Sequence, residues 1–239
     1  MSNTQARGAA GLLDRIYATG TVEAEDGTLL RPFPSGLPRS HAAQIASLVR
    51  ERELRRTLET GLGYGLSALA ICEVHEARGG GSHIAIDPNQ ERYRSIGLLN
   101  LRRAGLDHRV RVVEARSDEA LPMLRAEGVR LEFALIDGRH MLDMALLDFV
   151  YVDRMLDVGG IVAFHDTWMP AIGEAVAYVV ANRAYEELDA VDHGLAVLRK
   201  LGEDDRPWDY HRDFPRGRRW PTVRNGLRNY WTRRLRGRH

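Results

Sequence analysis

The chain has 239 residues, 44% hydrophobic and 28% charged, a balance that suits one folded core and excludes both a disordered polyelectrolyte and a membrane-embedded protein. Its net charge of +1 hides an asymmetry, since residues 206–239 hold eleven Arg against Asp209 and Asp213, leaving 23 basic and 31 acidic side chains in residues 1–205. The single cysteine, Cys72, excludes an internal disulfide and a cysteine zinc cluster, and no apolar run nears the ~18 residues of a spanning helix, so a cytoplasmic location is expected.

Residues 8–18 carry the spacing of a short amphipathic helix, residues 20–38 are punctuated by Gly and Pro as a loop or small hairpin, and residues 41–52 read as a second helix. Short β-rich runs at 54–59, 82–87, 109–114, 131–136 and 160–165 then alternate with helical patterns at 65–77, 89–104, 117–127, 140–156 and 171–183. Five strand–helix units in succession need crossover connections, which implies a parallel sheet with helices on both faces. The runs "YEELDAV" and "GLAVLRK", joined by a short turn, read as an antiparallel hairpin that closes the sheet. The expected fold is therefore α/β, Rossmann-like and doubly wound, with a mostly parallel seven-stranded sheet and an antiparallel C-terminal hairpin. Residues 1–39 read as an N-terminal extension, 40–203 as the core domain and 204–239 as an Arg-rich C-terminal extension.

In open α/β sheets ligands bind beyond the carboxyl ends of the strands, which directs attention to the loop after the run 54–59. It reads Glu59-Thr60-Gly61-Leu62-Gly63-Tyr64-Gly65. Glycine lets the backbone approach a ligand and take positive φ without steric penalty; a tight turn with close helix packing is the plainer reading. A dinucleotide fingerprint would need glycine where Leu66 stands, which disfavours a dehydrogenase, and the Gly-Lys-Ser/Thr of a P-loop is absent. The segment resembles the first motif of the class I S-adenosylmethionine-dependent methyltransferases, an acidic residue followed by G-x-G-x-G, and the likeness spans roughly residues 40–200. It implies S-adenosylmethionine as cofactor in the domain 40–203, held around Glu59, Gly61, Gly63 and Gly65. Asp87, closing "HIAID", stands where a carboxylate accepts bonds from ribose hydroxyls, or where it caps the next helix. In metal-dependent O-methyltransferases related to catechol methylation, a Ser-containing segment before Leu-Pro holds the adenine edge. By that resemblance Ser117 and Asp118 in "EARSDEALPML" are cofactor residues, and Ser117 is equally suited to an N-cap.

The apolar runs 131–136 and 160–165 lead into Asp137 and Asp166, which project at the same sheet edge as the glycines. Two carboxylates aimed at one cleft repel each other unless protonated, hydrogen-bonded or bridged, and a hard divalent cation that keeps several waters is the economical bridge. The arrangement Asp-Gly-Arg-His, a helix, then "GGIVAFHD" resembles a branch of small-molecule methyltransferases that includes antibiotic sugar O-methyltransferases. That resemblance implies Mg or Mn on Asp137 and the position after the fifth strand, where this chain has His165-Asp166 in place of paired acids. His165 either ligates the metal or lines the pocket. The resemblance further makes Asp137 and His140 catalytic, with His140, where catechol-type enzymes have Lys, as general base; its ordinary pKa of ~6.5 suits that task. An exposed position at a helix start is the plainer reading of His140. Asp143 and Asp148 read as surface or capping groups, Trp168 as a substrate wall or packing, and His41, His75 and His83 carry no functional signal.

The expected reaction is methyl transfer to a hydroxyl of a small-molecule acceptor. RNA or protein methylation with docking through the tail is the alternative, as is a non-catalytic polyanion- or membrane-binding module on the same fold. In "PTVRNGLRNYWTRRLRGRH" Val223, Leu227, Tyr230, Trp231 and Leu235 fall along one helical stripe. Such a helix packs on its own acidic body or on a sister subunit of a homo-oligomer, or lies on an anionic membrane surface; nucleic acid is the least favoured partner.

Overall fold

Residues buried on both faces of a strand need cover on both sides, and the runs that lack polar alternation stand at the centre of the sheet. The structure is a computed structural model that describes residues 6–210 and 212–213; the apolar helical stripe expected at 223–235 lies outside them. Helix α1 (Ala6–Thr19), a small hairpin of β1 (Val22–Glu23) and β2 (Leu29–Leu30), and helix α2 (Arg39–Glu51) lead into the alternation. It runs β3 (Arg56–Thr60), α3 (Leu66–Ala77), β4 (Ser82–Ile86), α4 (Ile96–Arg103), β5 (Val110–Val113), α5 (Ser117–Ala126), β6 (Leu131–Ile136), α6 (Leu142–Met155), β7 (Leu156–His165) and α7 (Pro170–Asn182). The hairpin of β8 (Tyr185–Leu188) and β9 (Leu195–Lys200) closes the chain of elements.

The seven strands lie in the order β5-β4-β3-β6-β7-β9-β8, all parallel except β9, which runs antiparallel to β7 and β8. Alternation along each strand separates two cores. Phe133, Leu135, Ile161 and Ala163 face helices α1 to α4, while Ala134, Ile136, Val162 and Phe164 face α5 to α7. Leu12, Ile16, Leu37 and Ile45 join the first of these cores, so the N-terminal helices cover the same sheet face as α3. Cys72 is buried in α3, as expected, and burial pushes its thiol pKa up. Strand order reverses between β3 and β6, which makes their carboxyl ends the switch point where ligands bind in this class of sheet.

Two elements differ from their sequence outlines. The helix expected over 89–104 is a 3₁₀ turn (Gln90–Tyr93) and α4, separated by Arg94 and Ser95 at φ 55° and 53°. The break places Gly97 against the glycine loop, where a Cβ would stand 2.7 Å from the Gly63 carbonyl oxygen. Strand β7 starts at Leu156, before Gly159-Gly160, and an irregularity in its register with β6 between Leu131 and Phe133 absorbs the extra residues. Among the described residues no helix is long and apolar enough to cross a membrane.

Candidate active site

The loop after β3 takes its shape from its glycines. Gly61, Gly63 and Gly65 have φ of 96°, 50° and 77°. A Cβ on Gly61 would overlap the Asp137 carbonyl oxygen, and one on Gly65 would press on the Gly97 backbone at 3.1 Å. The amides, by contrast, are spent inside the protein: Gly61 N–H donates to the Ile86 carbonyl, Gly65 N–H to Leu62, and Gly63 N–H to Asp87 Oδ2 at 2.8 Å. The glycines therefore bring backbone segments together and do not leave three free donors.

Asp87 lies at the end of β4 and is buried. Besides Gly63 it accepts from the Asn89 amide at 2.7 Å and Gln90 Nε2 at 2.8 Å, and Gln90 also donates to the Gly63 carbonyl at 3.0 Å. With about four lone-pair sites on a carboxylate, this leaves roughly one for a ribose hydroxyl. Gln90 is thus a clamp on the loop that the sequence reading missed; its three-residue spacing from Asp87 was the available signal. Glu59 is fully buried within β3, accepts from the Ser67 hydroxyl and stands 3.3 Å from His83 Nε2. It ties the end of the strand to the start of α3 and does not open onto the cleft. Thr57 accompanies it with His75 Nε2 and His83 Nδ1 at 3.0 and 2.9 Å from its hydroxyl. His75 and His83 are thereby buried structural residues.

Ser117 opens α5, and Asp118 is held by two bonds from the Arg116 guanidinium, at 2.9 and 2.7 Å. The larger surprise lies opposite. Asp148 of α6 is buried at 1% exposure, with the hydroxyls of Ser117 and Thr60 beside its carboxyl, and is not a surface or capping group. Burial pushes its pKa up to about 6. The signal for it was present in the helix: Ala145, Asp148, Phe149 and Val152 follow the three-and-four spacing of a buried stripe.

Asp137 and Asp166 meet at the ends of β6 and β7, Asp166 in a left-handed conformation with φ 57° that turns its side chain out of the strand path. His140 inserts between them, with Nε2 3.2 Å from Asp166 Oδ2 and 3.6 Å from Asp137 Oδ1, and without an aligned hydrogen bond to either. One ligand atom from each of Asp137, His140 and Asp166 falls within 4.8 Å of the others. An octahedral ion with bonds of about 2.1 Å sets neighbouring ligands about 3 Å apart, so the donor set and its orphaned nitrogen fit a divalent cation. His165 stands elsewhere than in that trio: its Nδ1 pairs with Asp137 Oδ1 at 2.9 Å, and its buried ring meets His41 edge-on at 5.2 Å. His41, buried on α2, bonds in turn to Asp192 of the β8–β9 turn at 2.8 Å. Trp168 Nε1 donates to Asp166 Oδ1 at 2.9 Å while its ring stays partly exposed.

Asp137 and then Asp166 raise the His140 pKa to about 9. In this arrangement the imidazole is protonated at neutral pH, its pKa above the range of an ordinary histidine. Burial would raise the carboxyl of Asp137, but His165 and His140 outweigh it and hold the group below the usual range.

Residues 58–167 match a protein family described as methyltransferase domain. Tapetum-specific methyltransferase 1 of Arabidopsis thaliana is 27% identical over 157 residues, 64% of this chain and 64% of that protein, so the match spans less than two thirds of its length. Among solved structures, SAH-bound methyltransferase PaMTH1 of Podospora anserina superposes with a TM-score of 0.63 at 14% identity, covering 82% of this chain and 88% of that one. The O-methyltransferase from Bacillus cereus in complex with SAH gives 0.59 at 16% identity, covering 84% and 92%. At these identities the structural likeness speaks for the fold. Residues 58–167 are thus similar to a methyltransferase domain, and the sheet on which they lie has the fold of the solved methyltransferases.

Proposed function

We propose that this protein transfers a methyl group from S-adenosylmethionine to a hydroxyl of a small molecule, assisted by a divalent cation. The observation that carries the reading is the convergence of Asp137, His140 and Asp166 at the switch point that also holds the glycine loop. The Bacillus cereus O-methyltransferase in complex with SAH, which has the same fold, supports the choice of oxygen as acceptor atom.

When bound, S-adenosylmethionine supplies a methyl group on a sulfonium, and a divalent cation supplies a Lewis acid that lowers the pKa of the acceptor hydroxyl. The remaining work falls to the chain. Asp87 would offer its remaining acceptor position to the ribose, and the loop from Gly61 to Gly65 would line the nucleoside site. Asp137 and Asp166 would hold a cation through hard oxygen donors and His140, in its neutral form, through nitrogen, a set that favours Mn²⁺ over Mg²⁺. His165 fixes the Asp137 carboxylate and Trp168 fixes that of Asp166, as outer partners do for metal ligands.

Thermal unfolding of the purified protein tests this directly. S-adenosylmethionine at a hundred times its Kd adds ~2.7 kcal/mol of stability. Mn²⁺ adds a second shift that a chelator reverses and that His140→Ala and Asp166→Ala lose while keeping the S-adenosylmethionine shift. Incubation with labelled methyl donor then places label on hydroxylated small molecules. Label on RNA or protein instead would move the acceptor class, and absence of any shift with S-adenosylmethionine would sink the proposal.

A further inference from the structure

The cleft contains one buried acid that the proposed reaction leaves unused. Asp148 lies on the buried stripe of α6, and its carboxyl sits beside Gly138, just past the end of β6. Three elements end around it: β3 with Thr60, the loop after β6 with Gly138, and α5 beginning at Ser117. A Cβ on Gly138 would stand 3.3 Å from Thr60 Oγ1 and 3.5 Å from Asp148 Oδ2, so the missing side chain gives both groups their room. Asp148 Oδ1 is buried without a hydrogen-bond partner. Among the described residues no cation pairs with it, and the charged group acting on it is Asp118, itself clamped by Arg116.

A hydroxyl has one proton to give and two lone pairs to offer. An ionised Asp148 carboxylate draws the proton of the Ser117 hydroxyl beside it, which leaves the Ser117 lone pairs for other donors. An adenine edge that presents an exocyclic amine meets those lone pairs as a donor. We infer that Asp148 is a positioning residue of the cofactor site, holding the Ser117 hydroxyl as a hydrogen-bond acceptor for the adenine. This rests on the reading of Ser117 as part of the S-adenosylmethionine site. Burial lifts the Asp148 carboxyl to about 6, with Ser117, Thr60 and Asp118 as the groups that modulate it, so the hold weakens in mild acid.

The test is the Kd of S-adenosylhomocysteine, measured by calorimetry on the full chain for wild type, Ser117→Ala, Asp148→Ala, Asp148→Asn and the double alanine variant. One hydrogen bond is worth about 0.5–1.5 kcal/mol, so Ser117→Ala and Asp148→Ala each weaken binding about three- to tenfold, and the double variant loses no more than either alone. Asn retains a carbonyl acceptor, so Asp148→Asn keeps affinity within about twofold and loses the wild-type decline in affinity between about pH 7 and pH 5. Additive losses, wild-type affinity in Asp148→Ala, or a weakened Asp148→Asn each overturn the inference. Should Asp148→Ala fail to fold, Asp148→Asn decides by the same criteria. An Asp148→Ala loss without any Ser117→Ala loss removes the inference and leaves the cofactor reading intact, whereas no binding by wild type removes both.

Discussion

Between Gly61 and Asp137 there is no room for a side chain: the glycine loop and the exit of β6 touch backbone to backbone. The contact fixes the distance from the glycine loop to Asp137, the first acid of the proposed cation site. Gly61→Ala meets two penalties, a φ of 96° that side chains rarely adopt and an overlap with a carbonyl that cannot swing away. We expect urea unfolding to show a loss of about 3 kcal/mol or more, together with loss of the S-adenosylmethionine shift. Gly63 has φ 50° and open space around it, so Gly63→Ala should cost only about 1 kcal/mol and leave a folded protein. Equal losses at the two positions would show that conformation, not contact, governs the loop. The sequence displayed the spacing of these glycines but not their separate reasons, because the reason at Gly61 is a residue 76 positions away in the chain.

On α6 two acids, Asp148 and Asp153, are buried. Asp148 turns to the carboxyl edge of the sheet beside Gly138, while Asp153 turns to the opposite end and gathers Arg183, the Tyr185 hydroxyl at 2.6 Å and Lys200. Lys200 is fully buried and also donates to the Asp153 and Leu156 carbonyls at 2.8 and 3.0 Å. Removing one partner from such a cluster leaves a buried cation with less compensation than before. Asp153→Ala should therefore lower stability by about 3 kcal/mol, the low end for a buried pair because Lys200 keeps its carbonyls. Lys200→Met in the same background should recover part of that loss in a denaturation series; no recovery would assign the cost to Arg183 and Tyr185. Strands such as 131–136 and 160–165 were readable because a strand covered on both faces must be apolar throughout. The break at Arg94-Ser95 was not, since neither Gly nor Pro marks it and the force behind it is the close approach of Gly97 to Gly63. The same holds for His165, whose place behind Asp137 depends on His41 from α2, far outside the local motif.

At the scale of the whole molecule, the alternation of runs was enough to give a mostly parallel sheet with its closing hairpin and the strand ends where ligands bind, while the strand order and the electrostatics of the site required knowing what packs against what. Asp148 shows how the two connect. Its pKa is raised from 3.8 to about 6, burial being the main cause, so the folded state binds the proton more tightly than the unfolded chain. The stability it contributes is complete below about pH 4 and disappears as pH rises through about 6, which leaves an ionised acid without a pairing cation inside the protein at neutrality. Two pKa units correspond to about 2.7 kcal/mol, an upper bound since relaxation and water entry soften the penalty. Asp148→Asn removes the titration, and its stability relative to wild type should rise by about 2 kcal/mol between pH 4 and pH 7. Parallel stability curves for the two proteins over that range would mean that ionised Asp148 is solvated or paired. A rise would mean that the fold tolerates a destabilising acid at the place where α5, β3 and β6 meet, and tolerance of that kind is expected where a side chain is kept for the ligand and not for the core.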